Sequence, residues 1–417
     1  MKDISKRKIC FVITSGIHYS RSKIVLDELK KRPDVELQII VGASAILPFY
    51  SNTLVLMEKD GYHPNAKIVM TLEGGNAVAM AKTTGIGIAE FATAFDNLRP
   101  DIVIVRGDRY EVLAAATAAA YLNITLAHIE GGDVTGNIDE SVRHSITKLA
   151  HIHFTTNDRS HRRVIRMGEN PAYVFDVGAS ELEFVERNDY VASNELINRL
   201  GVGDVVDVNK PYLMVMQHPV TSEVGQNRKH IETTLQAISE IGIPTVWFWP
   251  NVDAGTDEVS KGIRAFREIH KPHHIRFIKY LPPEEFVGLL KKAACLVGNS
   301  SSGIKECSFL GTPVVNVGSR QNHRLRAENV LDVGYDLDEI KQAIRKQIKH
   351  GRYAPSRIYF KKETGKKIAH VLATIKLYTQ KFFYDEHDLE IQRSAPKSAS
   401  LKKRSKVSTS RKSGKRK

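Results

Sequence analysis

The sequence predicts an α/β protein made of two doubly wound parallel-sheet domains, Rossmann-like in layout, with a cleft between them. Short apolar, β-branched runs alternate with longer helical stretches through most of the 417 residues. The runs are continuously apolar, as in strands covered by helices on both faces. The loops that follow them are rich in charged, His, Gly and Ser residues, and an open parallel sheet binds its ligands at those strand ends.

The first set of strand-like runs is KICFVIT (8–14), ELQIIVGA (36–43), DIVIVRG (101–107), ITLAHIE (124–130), HIHFTT (151–156) and YVFDVG (173–178). Between them lie stretches such as EVLAAATAAAYL (111–122), whose Ala and Leu favour helix. The second set is YLMVMQH (212–218), PTVWFWP (244–250), HIRFIKY (274–280), ACLVGNS (294–300) and PVVNVGS (313–319). The polar segment 180–210 holds no convincing strand and divides the sets, so the expected domains are 1–180 and 195–364.

Composition narrows the class. A chain with 42% hydrophobic and 26% charged residues suits a soluble globular protein. No apolar run is long enough to span a bilayer, and MKDISKRKICFVIT moves straight into a strand, so no signal peptide is expected. The three cysteines, Cys10, Cys295 and Cys307, have no paired spacing, which argues against a disulfide framework or a zinc site. A cytoplasmic protein is the expectation. The net charge of +14 is mostly a property of the tail: residues 393–417 hold eleven Lys and Arg and no acid, leaving +3 for the rest. The Ser/Lys/Arg-rich end, 385–417, is expected to be disordered and reads first as a solvated tail, though its charge also suits polyanions or an acidic partner.

The clearest ligand signal is GNSSSGIKECSFLGTPVVNVGSR (298–320). A strand ends at Gly298, and Asn299 through Gly303 lead into a helix whose amides and hydroxyls suit a phosphate. An ordinary helix cap accounts for one serine, not for three flanked by glycines. Glu306 suits ribose hydroxyls, and Arg320 suits a phosphate. The loop is neither a Walker sequence nor the Gly-x-Gly-x-x-Gly fingerprint.

In RGDRYE (106–111), taken alone, Asp108 reads as a helix cap and Arg109 as a surface cation. HIEGGDVTGNIDESVRH (128–144) adds Glu130, Asp133, Asp139 and Glu140. Asn137 and Glu140 resemble a capping box, and acids suit a first turn. Capping leaves Glu130 unexplained: it ends a buried-looking strand before Gly131-Gly132, where a carboxylate faces a ligand and the glycines let the backbone turn close to it. His218, in QHPVTSE, follows another strand, where a lone histidine fits a structural, packed role equally well. His151, His153, His161, His273 and His274 lack metal-ligand spacing and read as structural.

With these loops assembled, the chain resembles the hydrolysing UDP-N-acetylglucosamine 2-epimerases from about residue 8 to 380. HIEGGDVTGNIDESVRHSITKLAHIHF is the most specific match. GDR (107–109), QHPVT (217–221), PNVDAG (250–255), GNSSSGIKE and GTPVVNVGSRQ (311–321) support it. The resemblance implies a GT-B-like fold whose C-terminal helix, at about 365–383, returns to the first domain. It implies release of the nucleotide diphosphate and inversion at sugar carbon 2 through a glycal, for sialic or other nonulosonic acid synthesis. Asp108, Glu130, Asp139 and His218 then match catalytic positions. Ser20, Arg109, Asn251, Ser300, Ser301, Glu306 and Arg320 match substrate contacts. No metal or cofactor is implied, and a homo-oligomer, dimer or tetramer, is expected. One segment departs from the family: in SGIHYSRSK (15–23), Gly16 stands where Arg is usual and His18 where an acid is, with Arg21 nearby. UDP and GDP sugars therefore both stay open. The alternative is a GT-B glycosyltransferase, which shares the Ser/Gly/Glu donor pocket but has no need of Glu130 and Asp139 together.

Overall fold

A computed structural model of the chain describes residues 6–48, 52–73 and 75–385. The tail expected to be disordered lies, from residue 386 onward, outside the described residues.

The first sheet holds β1 (Arg7–Ile13), β2 (Val35–Gly42), β3 (Ala66–Ile68), β4 (Ile102–Arg106), β5 (Thr125–Ile129), β6 (Ile152–Thr155) and β7 (Val174–Asp176). Its order is β3-β2-β1-β4-β5-β6-β7, with every pair parallel. The second sheet holds β8 (Val202–Gly203), β9 (Leu213–Met216), β10 (Thr245–Phe248), β11 (Ile275–Ile278), β12 (Cys295–Gly298), β13 (Val314–Val317) and β14 (Val330–Val333). Its order is β14-β13-β12-β9-β10-β11-β8, with only β8 antiparallel. Strands β4, β5, β9, β10 and β12 are buried along their whole length, in keeping with their continuous apolar runs.

Three strands escape the apolar-run reading. β3, β8 and β14 are short edge strands with partly exposed residues, so their sequences carry little of the burial signal. β8 lies inside the segment read as strandless, pairing through Val202 and Gly203 with Phe277 and Arg276. The same segment opens with the helix Ser180–Arg187, which buries Glu181 and Glu183.

Each sheet reverses its winding once. In the first the reversal falls between β1 and β4, and in the second between β9 and β12. Crevices at such points receive ligands. The loop after β9 is tied to the loop after β12 by Asn299, whose Oδ1 accepts from the His218 amide (2.7 Å) and whose Nδ2 donates to the His218 carbonyl (2.9 Å).

The C-terminal helix spans Thr364–Thr374, shorter than the expected 365–383. It crosses the helix Gly16–Lys30 closely: a Cβ on Gly365 would stand 2.9 Å from the Ile24 carbonyl oxygen. At Ile375 the backbone turns extended. Tyr378 then packs edge-on against Tyr173 and His151 (centroids 4.7 and 5.1 Å apart), and Lys381 reaches Glu169 (2.6 Å). Aromatic packing and an ion pair thus fix the returning chain where a longer helix was expected.

Glu169 is the anchor of this return, buried beside Lys148 (2.6 Å), His153 (3.1 Å) and Lys381. Burial alone would raise its pKa, but His153, Lys381 and Lys148 hold it down to about 2. A carboxyl depressed on folding stabilises above its unfolded pKa and loses that contribution as pH falls through the folded value. Glu169→Gln should therefore cost on the order of 3 kcal/mol near neutral pH. The gap to the native chain, read by chemical denaturation, should narrow as pH falls from about 4.5 to 2. A gap that does not change with pH would contradict this.

Candidate active site

The two reversal points face one another across a cavity of about 310 Å³. The first sheet contributes Asp108 and Arg109 after β4, Glu130 after β5, and Asp139 at the start of the helix Asp139–Leu149. The second contributes His218 after β9, Asn251 after β10, Ser300 and Ser301 after β12, and Arg320 after β13. Ser20 and Glu306 complete the wall, so all eleven expected site residues line one cavity.

Glu130 holds left-handed backbone (φ +73°), an uncommon state for a residue with a side chain. Its carboxylate accepts from Arg106 Nη2 (2.5 Å) and lies 3.1 Å from Lys305 Nζ. Burial alone would raise its pKa; Arg106, Lys305 and Arg21 outweigh that and hold it well below the usual carboxylate range. The glycines beside it turn the chain against protein, not against the cavity as expected. A Cβ on Gly132 would meet the Ser160 carbonyl, and one on Gly136 would run into the Ser319 carbonyl from the second half. Gly136 also donates its amide to the Arg320 carbonyl (3.1 Å), so this loop braces the two halves together.

Asp139 sits in a different setting. Its carboxylate accepts from Asn137 Nδ2 (2.9 Å), with Arg320 Nη2 at 4.0 Å. Burial and the nearby Asp253 raise its pKa against the pull of Arg320 and Arg109. The capping box is shifted: Glu140 reaches back to the Thr135 amide (2.8 Å), and Asn137 Oδ1 accepts from the Asp139 amide (3.2 Å). Asp108 caps nothing, because it is ion-paired with Arg143, and Arg109 is not a surface cation. Arg109 bonds Glu111 (3.0 Å) and, across the cleft, Asp253 (2.7 Å).

His218 Nδ1 accepts from the Asn251 amide (3.2 Å), so the neutral ring carries its proton on Nε2. Burial and Arg320 push its pKa down to about 3, which keeps the ring neutral. Ser300 caps the turn after β12, its Oγ accepting from the Ser302 amide (3.3 Å). The helix expected there breaks at Lys305 into Ser301–Ile304 and Glu306–Leu310. Glu306 Oε1 accepts from Arg21 (2.9 Å), while its buried Oε2 has no partner among the described residues. His151 and His153 prove structural: His151 Nδ1 accepts from the Leu126 amide, and His153 bonds Glu169.

Four residues central to this geometry were not singled out from the sequence. Arg106 donates to Ser180 Oγ (2.7 Å) and the Arg21 carbonyl (2.6 Å), and is ion-paired with Glu181. Lys305, 1% exposed, stands 3.5 Å from both Asp133 and Glu181. Asp253 completes the set. Arg106 was visible as a cation closing an apolar strand, and Lys305 and Asp253 lie inside quoted motifs. Glu181 had no signal, because its segment reads as polar linker.

Among known proteins, a family model described as UDP-N-acetylglucosamine 2-epimerase matches residues 27–373. The chain is 34% identical over 374 residues to UDP-N,N'-diacetylbacillosamine 2-epimerase (hydrolyzing) of Legionella pneumophila, covering 90% of this chain and 97% of that one. It is 30% identical over 347 residues to GDP/UDP-N,N'-diacetylbacillosamine 2-epimerase (hydrolyzing) of Campylobacter jejuni, covering 82% and 88%. The fold matches the Methanocaldococcus jannaschii UDP-GlcNAc 2-epimerase solved with UDP-GlcNAc and UDP. The TM-score is 0.70 at 18% identity, covering 88% of this chain and 99% of that one.

Removing one member of a buried charge set leaves the others uncompensated. Lys305→Met should destabilise the protein by about 3–5 kcal/mol, measured by chemical denaturation, because Asp133 would lose its ion pair and Glu130 and Glu181 would keep only Arg106 and Arg21. A neutral result would mean that Lys305 does not compensate these acids.

Proposed function

The chain belongs to the UDP-N-acetylglucosamine 2-epimerase family, and from that premise we propose that it hydrolyses a UDP- or GDP-linked acetamido sugar with inversion at carbon 2. The observation that carries the reading is the convergence of Asp108, Glu130 and Asp139 with Arg109, His218 and Arg320 on one cavity.

The reaction needs two stages. In the first a carboxylate takes the carbon 2 proton, the freed electron pair forms the carbon 1–carbon 2 double bond, and the nucleotide diphosphate leaves with the carbon 1–oxygen pair. In the second, water adds to carbon 1 of the glycal, and carbon 2 is protonated from the opposite face. Carboxylates at different points around one ring suit both stages. Asp139, with its raised pKa, is assigned the proton transfer at carbon 2 on one face, and the transfer on the opposite face falls to a second group of the cavity. Glu130, held ionised, is a fixed negative charge beside the cation-like carbon 1. Arg109, Arg320 and the His218 Nε2–H meet the departing diphosphate, and the unpartnered oxygen of Glu306 is available to ribose hydroxyls. A glycosyltransferase would use the nucleotide loops but has no use for this set of carboxylates on the first sheet.

A panel of UDP- and GDP-linked acetamido sugars in D₂O tests the proposal. Free nucleotide diphosphate and a carbon 2-inverted sugar with deuterium at carbon 2 are expected by NMR. Release with carbon 2 retained, or no turnover of any member, would sink it. Asp139→Asn should lower kcat by about 10²–10⁴-fold. It should also abolish an acid limb of kcat/KM lying above the ordinary aspartate pKa of about 3.9.

A further inference from the structure

Arg109 and Arg320 belong to opposite sheets, yet both guanidiniums reach the same small volume. Two cations held this close repel unless an anion lies between them. Asp253 supplies it. Its Oδ1 lies 2.7 Å from Arg109 Nη1, and its Oδ2 lies 3.7 Å from Arg320 Nη2. The carboxylate is 3% exposed and does not line the main cavity, so it grips the two guanidiniums from behind.

The carboxylate is itself fixed in place. Asn251 Nδ2 donates to Oδ2, and the Thr256 amide donates to the Asp253 carbonyl (3.0 Å). The neighbouring residues dock on the first half: the Gly255 amide donates to the Gly75 carbonyl (3.0 Å), and the Ala254 amide to Met80 Sδ (3.3 Å). Burial alone would raise the Asp253 pKa, but Arg109 and Arg320 hold it below the usual range, so the group is an anion. Arg320 lies between Asp253 and Asp139, so the same contact also places a cation beside the proposed proton carrier.

We infer that Asp253 is a positioning residue: it joins Arg109 and Arg320 across the cleft and holds them as one receptor for the two phosphates of the nucleotide. The inference rests on the proposed reading of the site as a nucleotide-diphosphate pocket. It assigns Asp253 no contact with substrate.

Binding of UDP and of uridine to the full chain, measured by calorimetry and ligand-observed NMR, separates this role from a general structural one. Asp253→Asn should weaken UDP by at least about tenfold, the scale of a charge-assisted contact. Uridine, which carries no phosphate, should bind as before. With a turned-over sugar nucleotide, KM should rise by a larger factor than kcat falls. Asp253→Ser should behave alike and covers the case in which one variant does not fold, judged by circular dichroism. Equal weakening of UDP and uridine, or unchanged UDP binding, would overturn the inference. If the native chain binds neither UDP nor GDP, the reading of the pocket itself fails, a result distinct from the others.

Discussion

Lys305 ends in a place closed to solvent, with its ammonium 3.1 Å from Glu130 and 3.5 Å from Asp133 and Glu181. The lysine belongs to the second sheet's loops and the three acids to the first half. Taking such groups out of water costs several kcal/mol per ion, and their attraction offsets this only when every partner is in place. The set is therefore a poor source of stability and a strict source of position. Asp133 shows how strict. One of its oxygens accepts from Thr156 (2.9 Å) and Ser160 (2.5 Å), which leaves the other for the lysine side. If the halves shifted, Glu130 would keep Arg106 but lose its second cation.

The fold delivers these groups without long-range adjustment. Both sheets reverse winding at their centres, and a reversal opens a crevice because the flanking connections leave on opposite faces. The loops after β4 and β5 and those after β9 and β12 thus meet as four segments at the cavity. Asn299 locks two of them through its side-chain amide, bonded to the His218 amide and carbonyl, and the Gly136 contact at Ser319 locks the third to the Arg320 loop. Reacting groups set on strand ends of this kind are held more firmly than groups on long loops.

Much of this was legible in the residues. The central strands are continuous apolar runs because both faces are covered, so sequence and burial agree there. The polar residues that end those runs stand at the cavity, which is why Glu130 could be picked out singly, Ser300 only as one of three serines, and His218 only through the family resemblance. Partnership was not legible. Capping chemistry offered Asp108 a local role, and only the tertiary structure brings Arg143 to it from the helix Asp139–Leu149. Glu181 is buried in a segment whose composition resembles a linker, because charged residues that find buried partners look like solvated ones until those partners are known. Edge strands escaped for the opposite reason: β3 and β8 are only three and two residues long, and β14 is only partly buried.

Environment then divides labour among carboxylates of one chemical type. Glu130 faces three cations, and deep burial cannot lift its pKa against them. Asp139 faces a shared guanidinium and another carboxylate, so burial prevails and its pKa rises. In the proposed reaction a proton must leave carbon 2 and a proton must return to the opposite face, while positive charge grows at carbon 1. A carboxylate that stays ionised cannot carry protons efficiently, and one that titrates is an unsteady counter-charge. Giving Glu130 the cations Arg106, Lys305 and Arg21 and leaving Asp139 beside Arg320 lets one cleft hold both settings. The opposed pKa shifts of these two acids therefore suit the two tasks of the proposed elimination and hydration.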